Sequence, residues 1–350
     1  MCSFLRIVLE ALHKIRSSIG SLYKASESIA TLDMLCSFAE YASIAQCSNP
    51  KVYSLHSFVV CPVMTSDTTA IKAGRHPILD RLHPCDVVSN DVLLCQAHSF
   101  LLITGPNMRG KSTFLRQLAL LTIMAHTGMF VPAEEALIRM SDAVFTRIGS
   151  DDDMESNAST FFVEMREMAH ALNSFTTHSL IIVDELGRGT STMDGLSITT
   201  AICEVLAETA AFVAMVTHFN QLVSYLGSMP NVAIMSLRVE EHSEGLSHSY
   251  QINPGDCVIK EYGLKLAKQQ GINESVLNAA YQASTMIKRV QGNDSRLISV
   301  RRVLEKRKVI RQTAERIRDL VEGSKLSHDE LERMLMGMRD DLQVQLNDLV

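Results

Sequence analysis

The 350-residue sequence contains no tryptophan, and only 5% of it is aromatic. Single-strand nucleic-acid binders stack bases on aromatic platforms, so that class is disfavoured. An excess of positive charge is also missing: 33 Lys and Arg stand against 39 Asp and Glu, a net charge of −6. Broad phosphate neutralisation needs a basic surface, so any DNA contact must be local or supplied by regions outside this chain. The cysteines, at positions 2, 36, 47, 61, 85, 95, 203 and 257, form no C-x-x-C pair. That leaves no zinc or dithiol motif, and a chain this long does not call for a disulfide framework. They are expected to be reduced, intracellular core residues. Long apolar runs are absent too. The longest charge-free one, Leu118 to Pro132, is interrupted by His126 and Thr127 and is too short to span a bilayer, so no membrane partner is expected. Met1 to Ile15 carries Arg6 and Glu10 inside its apolar residues, which excludes a signal peptide and argues against a mitochondrial presequence.

What is present is an ordinary globular composition, 46% hydrophobic and 21% charged, long enough for two or three domains. Residues 1–46 read as helix, with apolar positions at Phe4, Ile7, Val8, Leu12 and Ile15, then Ile29, Leu32, Leu35 and Phe38. The chain opens in mid-helix without a cap, as a piece of something longer would. Strands are expected at Tyr53–Met64, Ser99–Thr104, Ala143–Ile148, Ser179–Val183, Ala211–Val216 and Val232–Val239. Helices are expected between them at Lys111–Thr127, Phe161–Phe175, Leu196–Thr209 and Phe219–Leu226. This alternation predicts an α/β fold with a mainly parallel sheet. From Met286 the chain turns polar and helical. Residues 286–325 hold 12 basic against 5 acidic residues, and residues 326–350 hold 2 against 6. The basic stretch reads as a solvated helix face before it reads as a DNA site. Ser327 to Glu330 forms a capping box. Behind it Leu331, Met334, Leu335, Met338, Leu342 and Leu346 make one apolar stripe, read as a packing or dimer face.

Several motifs carry chemistry. Gly105-Pro106-Asn107-Met108-Arg109-Gly110-Lys111-Ser112 fits G-x-x-x-x-G-K-[ST], after an apolar strand and before a helix. In such a loop backbone N–H groups close around phosphate oxygens. Lys111 is placed to reach the β- and γ-phosphates and Ser112 to offer a hydroxyl to Mg²⁺. Leu180 to Val183 is an apolar strand ending in Asp184 and Glu185. If the strand continues, the two carboxylates point to opposite sides, so Asp184 can hold the metal while Glu185 faces an attacking water as general base. Val216-Thr217-His218 ends the next strand, where His218 can sense a γ-phosphate. Leu186 to Thr192 is a polar, Gly-containing loop directly after the acids, suited to linking one nucleotide site to its neighbour. Asn157 to Phe161 opens the helix containing Glu164; Ser159 and Thr160 there serve either as a cap or as a phosphate site for a second subunit.

Taken together, Thr104 to Thr113, Ser159-Thr160-Phe161, Asp184 to Thr192 and Thr217-His218 resemble the ATPase domain of MutS proteins, over about residues 25 to 285. Arg75-His76-Pro77 and Leu32-Asp33 share the resemblance. It implies a P-loop ATPase of ABC type working as a dimer, with ATP and Mg²⁺ as cofactors. Residues 1–46 would end a helical lever, 47–285 would be the ATPase domain and 286–350 a helical dimerisation element. By this likeness Gly105 to Thr113 bind nucleotide, and Asn107, Lys111 and Ser112 hold phosphate and metal. Asp184 holds Mg²⁺, Glu185 activates water, His218 senses phosphate and Ser159 acts in trans. Asp151 to Phe161 and Glu164 to Ala169 look most like the meiotic branch of the family. That implies a heterodimer with a sister homologue on double-stranded or branched DNA, such as Holliday junctions, in the nucleus. Two departures stand out. Arg109 occupies a position where the family usually has Gly or Ser. Residues 85–97 contain no aromatic for adenine stacking, so Val87 or Val88 stands nearest and Tyr250 is the candidate for the other face.

Competing readings make separate expectations. A mismatch-repair subunit would carry a Phe-x-Glu wedge in an N-terminal region this chain lacks. A transporter nucleotide-binding subunit would carry Leu-Ser-Gly-Gly-Gln before the acid-bearing strand, and this chain has none. A pseudo-ATPase using nucleotide only to hold a dimer would not depend on Glu185.

Overall fold

The computed structural model describes residues 2–46, 59–83, 87–105, 110–149, 160–242, 245–256, 262–292, 295–323 and 328–348. Three apolar runs form its centre: β4 (Phe100–Thr104), β7 (Leu180–Asp184) and β8 (Phe212–Val216), in which every residue is buried. Runs apolar on both faces are what a parallel sheet covered by helices on both sides requires. The sheet also includes β6 (Val144–Arg147), β9 (Val232–His242) and β10 (Gly245–Pro254), in the order β10-β9-β4-β8-β7-β6. All neighbours are parallel except β10, which returns antiparallel to β9.

Strand alternation divides the core in two. Leu101, Ile103, Ile182, Ala214 and Val216 face α3 (Lys111–His126), where Phe114, Leu115, Leu118 and Leu121 meet them. Phe100, Leu102, Ile181, Val183, Val213 and Met215 face the other side. There they pack on α4 (Thr160–Ser174), α5 (Thr192–Ala207) and α6 (Asn220–Leu226). A second sheet, in the order β1-β5-β2-β3, covers the α3 side. It comprises β1 (Val63–Thr65), β2 (Thr69–Gly74), β3 (Asn90–Leu94) and β5 (Glu135–Arg139). The short α2 (Pro77–Leu82) lies between β2 and β3.

The remaining helices are α1 (Cys2–Gln46), α7 (Tyr262–Gln269), α8 (Glu274–Gly292), α9 (Ser295–Gly323) and α10 (His328–Asp348). α9 lies along the ends of α5 and α6. Arg307 pairs with Glu204 at 2.9 Å and Arg311 with Glu208 at 3.4 Å, while the Tyr225 hydroxyl donates to Glu204. α1 touches the rest near its C-terminal end, where the Tyr41 ring sits 5.8 Å from the Arg81 guanidinium.

The sheet carries the expected α/β alternation, but several elements differ from the sequence reading. Of the strand expected at Tyr53–Met64, residues 53–58 lie outside the described residues, and the chain pairs only around Val60 and over Val63–Thr65. β2, β3, β5 and β10 were not anticipated. They pair in mixed or antiparallel fashion, so the parallel expectation holds for the central sheet alone. α5 starts four residues before its expected Leu196, because Ser191 caps it and its Oγ accepts from Asp194 N at 3.2 Å. The cysteine expectation also needs correction: Cys203 is buried, but Cys36 and Cys61 are exposed. Cys36 lies on the exposed helix α1 and Cys61 in the segment before β1, where no core forms around them. Of the capping box, Ser327 lies outside the described residues.

Candidate nucleotide site

The C-terminal ends of parallel strands are where an open α/β sheet presents its binding crevice. Here β8 lies between β4 and β7, and register brings their ends level. Thr217 N donates to Ile103 O, and Glu185 N donates to Val216 O, both at 3.1 Å. Thr104, Asp184, Glu185 and Thr217 therefore emerge side by side.

Gly105 ends β4 with φ +133°, and Gly110 enters α3 in the left-handed region at φ +84°, its carbonyl accepting from Phe114 N. Pro106, Asn107, Met108 and Arg109 lie outside the described residues, as does Ser159. Lys111 folds back under the loop. Its Nζ donates to Gly105 O at 2.6 Å and stands 3.4 Å from Glu185 Oε1, with only 4% of the side chain exposed. Burial pushes its pKa down, opposed by the charges of Glu185 and Asp184.

Asp184 is buried, which raises its pKa, while a hydrogen bond from Ser112 acts the other way. Its Oδ1 has no hydrogen-bond partner among the described residues. Buried carboxylate oxygens are almost always partnered, and this one lines the cavity, where a bound group can reach it. Thr113 follows Ser112 into the same cavity.

The condition under which Asp184 and Glu185 would face opposite sides, a strand that continues, is not met. The strand ends at Asp184, and Glu185 takes φ +48°, a left-handed turn away from the strand path. Both acids consequently act on Lys111. Glu185 is held at both oxygens: Lys111 stands by Oε1, and Arg188 Nη1 donates to Oε2 at 2.8 Å.

His218 follows Thr217 at the tip of β8, against the Phe219 ring with centroids 4.0 Å apart. Partial burial lowers its pKa, with Glu185 opposing and Arg188 and Lys111 adding to the shift. It is close enough to feel Glu185 and Lys111, but it does not line the cavity.

That cavity has a volume of about 1250 Å³. Lys111, Ser112, Asp184 and Glu185 form one wall. Val87, Val88 and Tyr250 line it as well. Tyr250 occupies the β-bulge of β10 at φ +54°, its ring beside Gly110, and Asn90 Nδ2 donates to its carbonyl at 3.2 Å. A Cβ on Gly110 would stand 3.5 Å from that ring. Sequence reasoning gave no role to three other lining groups, His76, Arg147 and Glu164. His76 caps α2, and Arg147 and Glu164 form a buried pair at 3.1 Å. Arg147 and Glu164 lie 17 residues apart, so no local spacing marks that pair.

Among the described residues no three His, Cys, Asp or Glu side chains gather as a metal cluster. One carboxylate plus one hydroxyl nevertheless matches the sparse protein ligation of Mg²⁺, whose other ligands are water and phosphate. The unpartnered Asp184 Oδ1 beside Ser112 fits that ion. No helix among the described residues is long and apolar enough to cross a membrane.

A family model, MutS domain V, matches residues 101–288. The chain is 36% identical over 339 residues to human MutS protein homolog 4, covering 95% of this chain and 34% of that protein. It is 39% identical over 274 residues to Arabidopsis thaliana DNA mismatch repair protein MSH4, covering 78% and 34%. It is 38% identical over 306 residues to DNA mismatch repair protein MutS of Caldicellulosiruptor bescii, covering 86% and 34%. The chain thus spans about a third of the length of these relatives. With more than half of its residues inside the domain V match, and the matched region carrying the strands that build the crevice, the chain belongs to the MutS family.

Proposed function

We propose that this chain binds ATP with Mg²⁺ and hydrolyses it slowly, as the P-loop, ABC-type nucleotide domain of a DNA clamp. The observation that supports this best is the meeting of Lys111, Ser112, Asp184 and Glu185 in one cavity at the ends of β4 and β7. Lys111 neutralises the β- and γ-phosphates, and Gly105 to Thr113 close backbone N–H groups around them. Ser112 and Asp184 hold Mg²⁺, which supplies charge neutralisation across the phosphate oxygens. Glu185 accepts the proton of the attacking water once phosphate draws Lys111 from it. His218 can donate a hydrogen bond to a γ-phosphate oxygen. Val87, Val88 and Tyr250 flank the base. Ser159 completes the site of a second subunit in a dimer assembled through residues 286–350, while residues 1–46 continue into a lever.

Within the family, the Asp151–Phe161 segment and the likeness to the human and Arabidopsis homologues support the meiotic branch. The whole protein then works in the nucleus as a heterodimer with a sister MutS homologue, on branched recombination intermediates such as Holliday junctions, promoting crossovers. The comparable identity to the bacterial mismatch repair protein keeps a second reading, a mismatch-repair subunit. Recovery of the full-length protein from meiotic cells in ATP and Mg²⁺, with its partner identified by mass, separates the two.

The chemistry is tested by phosphate release from Mg·ATP. The Glu185→Gln variant is expected to lose turnover by about 10²–10³-fold, within the range for a general base acting with its surroundings, while still binding ATP. Unchanged release sinks the assignment of Glu185. Lys111→Ala should lose nucleotide affinity, and retained affinity would count against the P-loop reading.

A further inference from the structure

The loop that follows the two acids is clamped from both sides, and one buried carboxylate does much of the clamping. Glu164, on the second turn of α4, is 4% exposed. Its Oε1 accepts from Arg147 Nη2 at 3.1 Å, and its Oε2 accepts from the backbone N–H of Gly187 at 3.1 Å. Gly187 stands two residues after Glu185 and takes φ +80°. A Cβ there would lie 2.9 Å from Gly195 Cα and 3.0 Å from Thr199 Oγ1, so α5 presses on the loop from the opposite side. Thr199 Oγ1 also donates to Leu186 O at 3.2 Å. Two residues further on, a Cβ on Gly189 would meet Phe161 N and Thr160 Oγ1 at 2.9 Å. Residues 185–189 are therefore pinned between the N-terminal halves of α4 and α5. Glu164 is a side-chain acceptor for a loop amide from within that clamp.

We infer that Glu164 is a positioning residue for the proposed hydrolysis. By accepting the Gly187 N–H, it fixes the loop that sets Glu185 against Lys111, and it ties that loop to the start of α4. Arg147 has the subordinate role of holding Glu164 in that orientation. The inference rests on the assignment of Glu185 as general base. It adds a mechanical link between the helix following Ser159 and the base, so that displacement of α4 moves Glu185. The left-handed backbone at Glu185 makes this link consequential, since a loop held at φ +48° by its neighbours changes direction when one restraint is released. Misplacing a reacting group by about 1 Å costs on the order of 10²-fold in rate.

Removing one member of a buried ion pair leaves the other charge stranded and can unfold the protein. The test therefore neutralises both members in each variant. In Arg147→Met/Glu164→Gln, the glutamine carbonyl can still accept from Gly187 N. In Arg147→Met/Glu164→Leu, nothing can. Two readouts are taken on the full chain: exchange of the Gly187 amide in nucleotide-free protein, and phosphate release against ATP concentration. The Gln-containing double variant is expected to be rescued, with slow Gly187 exchange and a kcat within about threefold of the unaltered chain. The Leu-containing one should exchange Gly187 at least tenfold faster and lose about 10²-fold in kcat, at similar KM and melting temperature. Equal exchange in the two overturns the proposed restraint. Different exchange with equal kcat overturns its link to Glu185. Absence of turnover in the unaltered chain is a different result: it removes the proposed hydrolysis and the catalytic half of this inference, while exchange still decides whether Glu164 holds the loop.

Discussion

The central sheet and α1 are built on opposite economies. In β4, β7 and β8 every side chain is buried, and the helices on both faces complete two apolar clusters. α1 is longer than any of them at 45 residues, yet Leu5, Ile7, Leu12, Ile15, Leu22 and Leu32 along it are all exposed. The sheet is fixed by burial. The helix in this chain is fixed by its own backbone bonds and by local pairs such as Arg6–Glu10 at 3.1 Å, worth a few tenths of a kcal/mol. An apolar pattern therefore tells which secondary structure forms, and tells nothing of what that structure packs against. The functional groups follow the same division: Asp184 ends β7, Glu185 follows it directly, and Lys111 opens α3, which packs on the sheet.

The sharpest way to break this comparison is the same substitution in the core. Leu102 is fully buried in the centre of β4. Leu102→Ala is expected to cost about 3–4 kcal/mol, transfer and cavity terms together, since a strand covered on both faces has little room to collapse. The check is the midpoint of denaturant unfolding at constant m-value. A loss under about 1 kcal/mol would mean that the sheet is less tightly determined than its burial indicates.

A smaller effect tests the edge of the site. His76 is buried at the start of α2, and its Nδ1 accepts from Leu79 N at 3.4 Å. Burial lowers its pKa below 6.5, with the nearby Arg116 charge adding to the shift. Above pH 6.5 the ring is neutral in both folded and unfolded states. As pH falls below 6.5 the unfolded chain takes up a proton that the folded one resists, so stability is lost down to the lowered folded value. His76→Asn keeps an acceptor at the cap without titrating. The melting temperature of the unaltered chain should therefore fall more steeply between pH 7 and 5.5 than that of His76→Asn. Parallel curves would show that His76 titrates normally.

The contrast between the two regions also explains how much was legible in the sequence. β4, β7, β8 and α3 announce themselves because a buried parallel strand is a continuous apolar run, and the glycines, Lys111 and the two acids sit at fixed offsets from those runs. β2, β3 and β5 are less legible because each is half-covered and pairs with segments well separated in sequence, whereas β10 pairs with the neighbouring β9. Thr69–Gly74 reads as an ordinary polar stretch until Asn90–Leu94 and Glu135–Arg139 pair with it. The direction of Glu185 is not legible for a related reason. Alternation holds only while a strand continues, and the positive φ at residue 185 is imposed by the loop beyond it. Glu164 was visible as one more helix residue; only the fold reveals that its acceptor faces Gly187, 23 residues away.

The least effect is expected where the sequence pattern is equally apolar but no burial accompanies it. Leu22, in the middle of α1, is 57% exposed. Leu22→Ala removes little contact within this chain, and alanine is the best helix former, so the backbone loses nothing. The unfolding midpoint should stay within about 0.5 kcal/mol of the unaltered chain, against several for the identical change at Leu102. The difference between two Leu→Ala substitutions then measures burial alone, with composition and side-chain chemistry held constant. If Leu22→Ala instead destabilises by 2 kcal/mol or more, the exposed face of α1 is covered in solution, and a rise in the effect with protein concentration would show that another copy of the chain covers it.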